Sequence, residues 1–109
     1  MDTLKKLERN GVHFKYEDIV SLCIKYKIIE FSIFGSSLRE DFKENSDIDV
    51  LVRYAPRNKL TLIDEVHIID ELQIIFDREV DLVAVDGLKN PIRRKGILES
   101  SELVYAYSG

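Results

Sequence analysis

The sequence predicts one small domain of the α/β or α+β class over residues 1–109, with a short mixed sheet of three or more strands flanked by helices. Segments with the apolar spacing of helices alternate with short runs rich in β-branched residues, which is typical of such domains. With 109 residues, of which 45% are hydrophobic, the chain can form one core. A separate substrate-binding domain has no room.

The first half of the chain predicts two helical segments and two strands. A helical turn is expected around Leu4 and Leu7, and residues 17–27 place apolar side chains at helical spacing. Residues 28–34 are rich in β-branched and aromatic residues and stop at a glycine and two serines, so they predict a strand followed by a turn. Residues 47–53 predict the second strand.

The second half predicts a long helix, a strand and a final helix. Residues 61–77 combine apolar side chains at helical spacing with acidic residues between them, as in an amphipathic helix. Residues 79–85 alternate and are β-branched, which predicts the third strand. Asn90 and Pro91 supply an N-cap and a first helical residue, and we expect this helix to run towards Tyr105.

Charge and composition exclude several classes of protein. Sixteen Lys and Arg oppose 20 Asp and Glu, and this net charge of −4 argues against a dedicated nucleic-acid binder. No stretch approaches the ~18 apolar residues of a membrane span, and no signal-like run begins the chain, so we expect a cytoplasmic protein. Cys23 is the only cysteine, which excludes an internal disulfide and a cysteine-rich zinc site. We expect it to be a core residue of its helix.

Three aspartates carry the chemistry. Asp47 and Asp49 flank Ile48 at the start of the second predicted strand, and alternate strand residues lie on one side, roughly 6.5 Å apart. Two such carboxylates repel each other unless a cation lies between them, and Mg²⁺ prefers oxygen ligands and substrate phosphates. Asp81 can join them if the second and third strands are neighbours. Three carboxylates can hold two metal ions about 3.5 to 4 Å apart, with Asp81 as the best-placed general base.

The turn after the first predicted strand can bind phosphate. Gly35 and Ser36 open a helical turn over residues 37–42, whose backbone N–H groups and hydroxyl would face a phosphate. Arg39 follows about one helical turn later and can bind phosphate oxygens, and Ser46 is a further donor. Each feature alone is usually a turn, a strand cap or a surface charge. Their combination indicates a phosphate site.

This combination resembles the nucleotidyltransferase superfamily that includes DNA polymerase β. The superfamily's signature is Gly-Ser, a gap, Asp-x-Asp and a later third Asp. Here it reads Gly35-Ser36, nine intervening residues, Ser46-Asp47-Ile48-Asp49 and then Asp81. Residues 34–52 are most similar to minimal nucleotidyltransferases of the MNT type, small prokaryotic proteins often partnered with a HEPN-domain protein. The resemblance extends over residues 28–105 and implies the small nucleotidyltransferase fold.

The resemblance implies a Mg²⁺-dependent enzyme that moves AMP from ATP to a hydroxyl, expected to be a tyrosine, of a HEPN-type toxin. The chain would then be the antitoxin of a pair. Its partners would be that toxin and a nucleotide, without membrane or nucleic acid, while homo- and hetero-oligomers both stay open. The implied metal ligands and catalytic residues, which would hold two Mg²⁺ ions, are Asp47, Asp49 and Asp81. The implied triphosphate ligands are Gly35, Ser36, Arg39 and Ser46.

One departure from the family keeps two other functions open. Glu40 stands where the family usually has glycine, and a carboxylate beside a triphosphate would weaken nucleotide binding unless it points to solvent. The chain could therefore neutralise its partner by occlusion, as a binding module without catalysis. It could also modify a small molecule such as an aminoglycoside, although enzymes of that kind generally carry an additional domain.

Overall fold

Four strands form one mixed sheet, and helices pack on both of its faces. The computed structural model describes residues 2–38 and 46–107, apart from the side chains of residues 2, 3, 36 and 37. The helices are α1 (Asp2–Arg9), α2 (Tyr16–Tyr26), α3 (Leu62–Phe76) and α4 (Pro91–Ser100). The strands are β1 (Ile28–Phe34), β2 (Ile48–Tyr54), β3 (Val80–Ala84) and β4 (Glu102–Ala106). Short 3₁₀ helices follow β1 and β3, at Gly35–Leu38 and Val85–Gly87.

The strand order is β3-β2-β1-β4. β1 is antiparallel to both of its neighbours, whereas β2 and β3 are parallel and are joined through α3. Phe34 at the end of β1 pairs with Asp49, and Ile33 pairs with Glu102. β1 therefore finishes at the end of the sheet where β2, β3 and β4 begin. We call this the site end.

The two faces of the sheet bury different clusters. The larger core lies under α1, α2 and α3, and the alternation of β2 places Ile48, Val50 and Val52 in it with no exposed surface. The opposite face carries a smaller cluster between the sheet and α4, made of Leu51, Val85, Leu88 and Ile97. Phe34 and Val83 pack against this second cluster, and Asp49 and Asp81 lie on the same face at the site end.

Most element boundaries agree with the sequence-based prediction because local signals fix them. Asn90 caps α4 by accepting hydrogen bonds from the backbone N–H groups of Ile92 and Arg93, with proline at the start of the helix. Thr61 and Asp64 form a capping box at the start of α3. Among the helices of the described residues, none combines the length and the apolar character that crossing a membrane requires.

The predicted final helix towards Tyr105 is wrong beyond Ser100. α4 ends there, and Glu102–Ala106 forms β4, which adds a fourth strand beside β1. Val104 of this strand is 1% exposed and belongs to the larger core. β4 is stabilised by pairing with β1, some 70 residues earlier in the chain. The spacing of apolar residues within a segment contains no information about such a distant partner.

Cys23 is a core residue, as predicted. Its side chain has no exposed surface in the larger core, and this burial raises the pKa of the thiol from 9.0 to about 12. The folded state therefore holds the thiol proton more tightly than the unfolded chain does.

We predict that Cys23 causes part of the loss of stability at high pH. A pKa that is higher in the folded state contributes stability below pH 9, and that contribution is lost as the pH rises through about 12. Cys23→Ala should lower the free energy of unfolding at pH 8 because it leaves a cavity, yet it should flatten the decline from pH 9 to 12. Urea unfolding across this pH range measures both effects. Equal slopes in the two proteins would contradict the prediction.

Two tyrosine hydroxyls have opposite surroundings. The hydroxyl of Tyr54 is buried without a hydrogen-bond partner among the described residues, and its burial raises the pKa of the phenol to about 12. The hydroxyl of Tyr26 donates to the carboxylate of Glu71, and this bond raises the pKa of the tyrosine and lowers that of the glutamate.

We predict opposite effects of the same substitution at these two positions. Tyr54→Phe removes an unsatisfied buried hydroxyl and should raise the free energy of unfolding by about 1 kcal/mol. Tyr26→Phe removes a hydrogen bond to a charged acceptor and should lower it by about 1 kcal/mol. Thermal and urea unfolding of both variants give the values. A stability loss in Tyr54→Phe would show that its hydroxyl has a partner in solution.

Candidate active site

Gly35 makes the turn at which β1 ends. Its φ of +78° lies in the left-handed region that glycine adopts without strain. A Cβ built on Gly35 would lie 3.1 Å from Cγ and 3.4 Å from Cβ of Asp49, and closest of all to the Oδ2 atom. The carboxylate of Asp49 therefore occupies the space that a side chain at position 35 would need. Glycine is required here for conformation and for space.

Asp49 and Asp81 form a register pair on two parallel strands. Asp49 of β2 is paired with Phe34 on one side and with Asp81 of β3 on the other. Paired residues of adjacent strands direct their side chains to the same face, with the strands about 4.8 Å apart. The two carboxylates therefore lie on one face, at the site end. Asp49 is half-buried, whereas Asp81 is exposed.

Asp47 and Ser46 precede the strand. β2 begins at Ile48, so the strand alternation expected to align Asp47 with Asp49 begins one residue later than predicted. Asp47 is exposed and Ser46 is half-buried. Their roles as metal ligand and phosphate ligand stay predictions.

The described carboxylates fit a magnesium ion that shares its ligands with a nucleotide. Within residues 2–38 and 46–107, no three Asp, Glu, His or Cys side chains lie close enough together to form a metal cage. Mg²⁺ is commonly bound by one or two carboxylates together with substrate phosphates. The oxygen atoms of Asp49 and Asp81, on one face beside the Gly35 turn, provide such a donor set.

Comparison with known proteins identifies the family. Residues 15–104 match the nucleotidyltransferase domain family. The chain belongs to this family. A Methanocaldococcus jannaschii protein assigned as a protein adenylyltransferase is 40% identical over 82 residues, which are 74% of this chain and 79% of the relative. The protein adenylyltransferase MntA of Thermococcus cleftensis is 31% identical over 75 residues, which are 69% of this chain and 74% of the relative.

Solved structures agree with this nucleotidyltransferase assignment. A protein described as a minimal nucleotidyltransferase has a TM-score of 0.66 at 30% identity, covering 80% of this chain and 86% of that chain. A chain of a toxin–antitoxin complex with AMP-PNP has a TM-score of 0.69 at 21% identity, covering 86% of this chain and 75% of that chain. At the lower identity, the likeness establishes the fold alone. The resemblance inferred from the Gly-Ser and Asp-x-Asp signature is confirmed, as is the expected fold.

The structure describes only part of the predicted set of nucleotide ligands, Gly35, Ser36, Arg39 and Ser46. Arg39 lies outside the described residues, as does Glu40, the departure from the family pattern. The backbone of Ser36 belongs to the 3₁₀ helix that begins at Gly35, while its side chain lies outside the described part.

Arg94 and Lys95 of α4 have partners other than the carboxylates of the site. Arg94 donates a hydrogen bond to the carbonyl of Val85, at the opposite end of β3 from Asp81, and Lys95 pairs with Glu99 on its own helix. These contacts give both residues a structural role.

One residue near the site is not singled out by sequence reasoning. The side-chain carbonyl oxygen of Gln73 accepts a hydrogen bond of 3.3 Å from the backbone N–H of Val80, the residue before Asp81. In the sequence, Gln73 is one polar residue of an amphipathic helix, and no motif marks it. Only the packing of α3 against β3 identifies this contact.

We predict that Gly35→Ala inactivates the nucleotidyltransferase. The added Cβ would displace the Asp49 carboxylate, and a displacement of about 1 Å can reduce the rate about 100-fold. Gly96→Ala is the matched control because its Cβ would meet no atom within 4 Å and lies in α4. The control should keep full activity and gain up to about 1 kcal/mol of stability. Transfer assays and thermal unfolding test both variants, and an active Gly35→Ala would exclude this role of the glycine.

Proposed function

We propose that this chain is the antitoxin of a toxin–antitoxin pair and transfers AMP from ATP, with Mg²⁺, to a hydroxyl of a HEPN-type toxin. The observation that carries the proposal is the register pair of Asp49 and Asp81 beside the Gly35 turn. This arrangement is suited to an anionic substrate that arrives with a divalent cation, since bare carboxylates would repel it.

The metal ligands of the proposal are Asp49 and Asp81, with Asp47 joining them when the nucleotide and two Mg²⁺ ions bind, since these three described carboxylates form no cage by themselves. When bound, the ions neutralise charge on the phosphates and favour departure of pyrophosphate. Gly35 and Ser36 would bind the triphosphate through the backbone of their turn, because free N–H groups at the start of a helical turn attract anions. Arg39 and Ser46 would add a guanidinium and a hydroxyl donor.

In the proposed reaction, Asp81 acts as the general base. Its exposure makes its carboxylate accessible to an acceptor that approaches from solvent. Asp81 would take the proton of the acceptor hydroxyl while the oxygen attacks the α-phosphorus of ATP. The new bond joins this oxygen to the α-phosphorus, the bond from the α-phosphorus to the bridging oxygen breaks, and pyrophosphate leaves with the electron pair.

The choice of acceptor is supported by what related proteins are known to do. The relative from Thermococcus cleftensis is a protein adenylyltransferase, which favours a protein acceptor and AMP as the transferred group. A structure with a TM-score of 0.60 at 19% identity contains a tri-AMPylated HEPN toxin of Shewanella oneidensis in complex with an MNT antitoxin. By analogy, we propose a tyrosine of a HEPN-domain partner as the acceptor here, and a cytoplasmic location for the pair.

The test uses the protein encoded by the neighbouring gene as the acceptor. We predict that incubation with Mg²⁺ and ATP adds the mass of one or more AMP groups to this protein, and that chelation of the metal prevents the addition. Asp49→Asn and Asp81→Asn should each reduce the rate at least about 100-fold, since each loses a carboxylate that acts on the reacting groups. Intact-protein mass spectrometry measures the product.

Asp86→Asn is the matched control because Asp86 is an exposed carboxylate at the opposite end of β3. It should transfer AMP at the wild-type rate. If the wild-type chain adds no AMP to the partner, the proposed acceptor is wrong. If Asp49→Asn loses transfer but still neutralises the partner in cells, occlusion is the antitoxin mechanism.

A further inference from the structure

We propose that Gln73 is a positioning residue of the active site. Its side-chain amide holds the first residue of β3 and thereby keeps the Asp81 carboxylate in register with Asp49. The inference rests on the proposed function of Asp81. Gln73 acts through the backbone, and no contact with substrate is assigned to it.

Asp81 depends on its backbone for its position. The side chain is exposed and forms no hydrogen bond or ion pair with the described residues, so no such neighbour orients the carboxylate. β3 is a five-residue strand at the edge of the sheet, with β2 as its single neighbour. A short edge strand is more easily displaced than a central one because one of its two sides has no ladder of hydrogen bonds.

Two hydrogen bonds fix the start of β3 from opposite sides. On the inner side, the backbone N–H of Ile48 donates to the carbonyl of Glu79 at 2.9 Å. Successive residues of a strand direct their backbone groups to alternate sides, so the N–H of Val80 points away from β2. On that outer side, the N–H of Val80 donates to Gln73 Oε1 at 3.3 Å. Asp81 follows directly after these two anchors.

Solvent cannot readily replace the outer bond. Val80 is 8% exposed and belongs to the larger core, and a buried backbone N–H group without a partner is unfavourable. The bond also closes the connection between α3 and β3, in which Asp77 adopts a left-handed φ of 54°. Gln73 thus attaches the strand that carries Asp81 to the last turns of α3.

Three variants separate positioning from general stability. Gln73→Leu removes the acceptor while retaining an apolar stem of similar length. Gln73→Glu retains an oxygen acceptor for the Val80 N–H and should rescue function. Ile74→Gln is the control because Ile74 follows Gln73 on α3 and its side chain is 80% exposed. All three are compared with the wild-type chain at a temperature at which each is folded.

The first readout is amide hydrogen exchange of the metal-free protein by NMR. We expect the Val80 N–H to be protected in the wild type, in Gln73→Glu and in Ile74→Gln. In Gln73→Leu it should exchange at least about 10-fold faster, because an amide without its acceptor opens by local fluctuation. A wild-type Val80 N–H that exchanges like an unstructured amide overturns the proposal, even if Gln73→Leu fails to fold.

The second readout is transfer kinetics. Gln73→Leu should lower kcat about 10-fold and raise the Mg²⁺ concentration for half-maximal rate by a similar factor, as expected for loss of an outer partner of a metal ligand. The KM for ATP should stay within about 2-fold, and Gln73→Glu should restore kcat. Unchanged kcat and Mg²⁺ dependence in a folded Gln73→Leu overturn the proposal. If the wild type transfers no AMP, the proposed function fails, and the exchange data then decide the anchoring contact separately.

Discussion

The parallel pairing of β2 with β3 is the constraint on which the rest of this nucleotidyltransferase depends. It sets Asp49 beside Asp81, and it requires a connection long enough to return to the starting end of the sheet, which α3 provides. The return of α3 covers one face with the larger core, so that α1, α2 and α3 lie on the face away from the carboxylates, while α4 lies on their face. One pairing therefore determines both the position of the two carboxylates and the face of the sheet on which they lie.

Local signals were sufficient for most of the fold. The bounds of β1 were predicted to the residue, and the Asn90 cap was predicted because a side chain and the next turn define it. β4 was missed because its stability comes from a partner far away in the chain. α4 ends at Ser100, Ser101 has an extended backbone, and β4 starts at the next residue. The spacing of apolar residues identifies a long helix or strand. Whether a short and ambiguous segment forms a helix or a strand is decided by pairing with distant segments.

The candidate site was predictable as a set of residues and less so as a geometry. The signature identified Gly35, Asp49 and Asp81, and the register of β2 with β3 then supplied the reason why two of them meet. Gly35 was expected to admit a phosphate, but it also admits the Asp49 carboxylate, which no spacing rule describes. The net charge of −4 argued against a nucleic-acid binder, although acidic residues are what a metal-assisted phosphate site needs. The net charge of the whole chain and the local chemistry of the site therefore lead to opposite expectations about binding a phosphate.

The arrangement of the central strand has a consequence for synthesis of the chain. β1 lies between β2, which follows it within about 20 residues, and β4, which ends at Ala106. During translation, one side of β1 can be paired early, while its other side gains a neighbour only after almost every described residue has been made. The ion pair between Lys6 Nζ and Glu102 Oε2, at 3.0 Å, likewise joins a residue made early to one made late. A partner that recognises the four-stranded sheet would thus discriminate against chains in which β4 has not yet been synthesised.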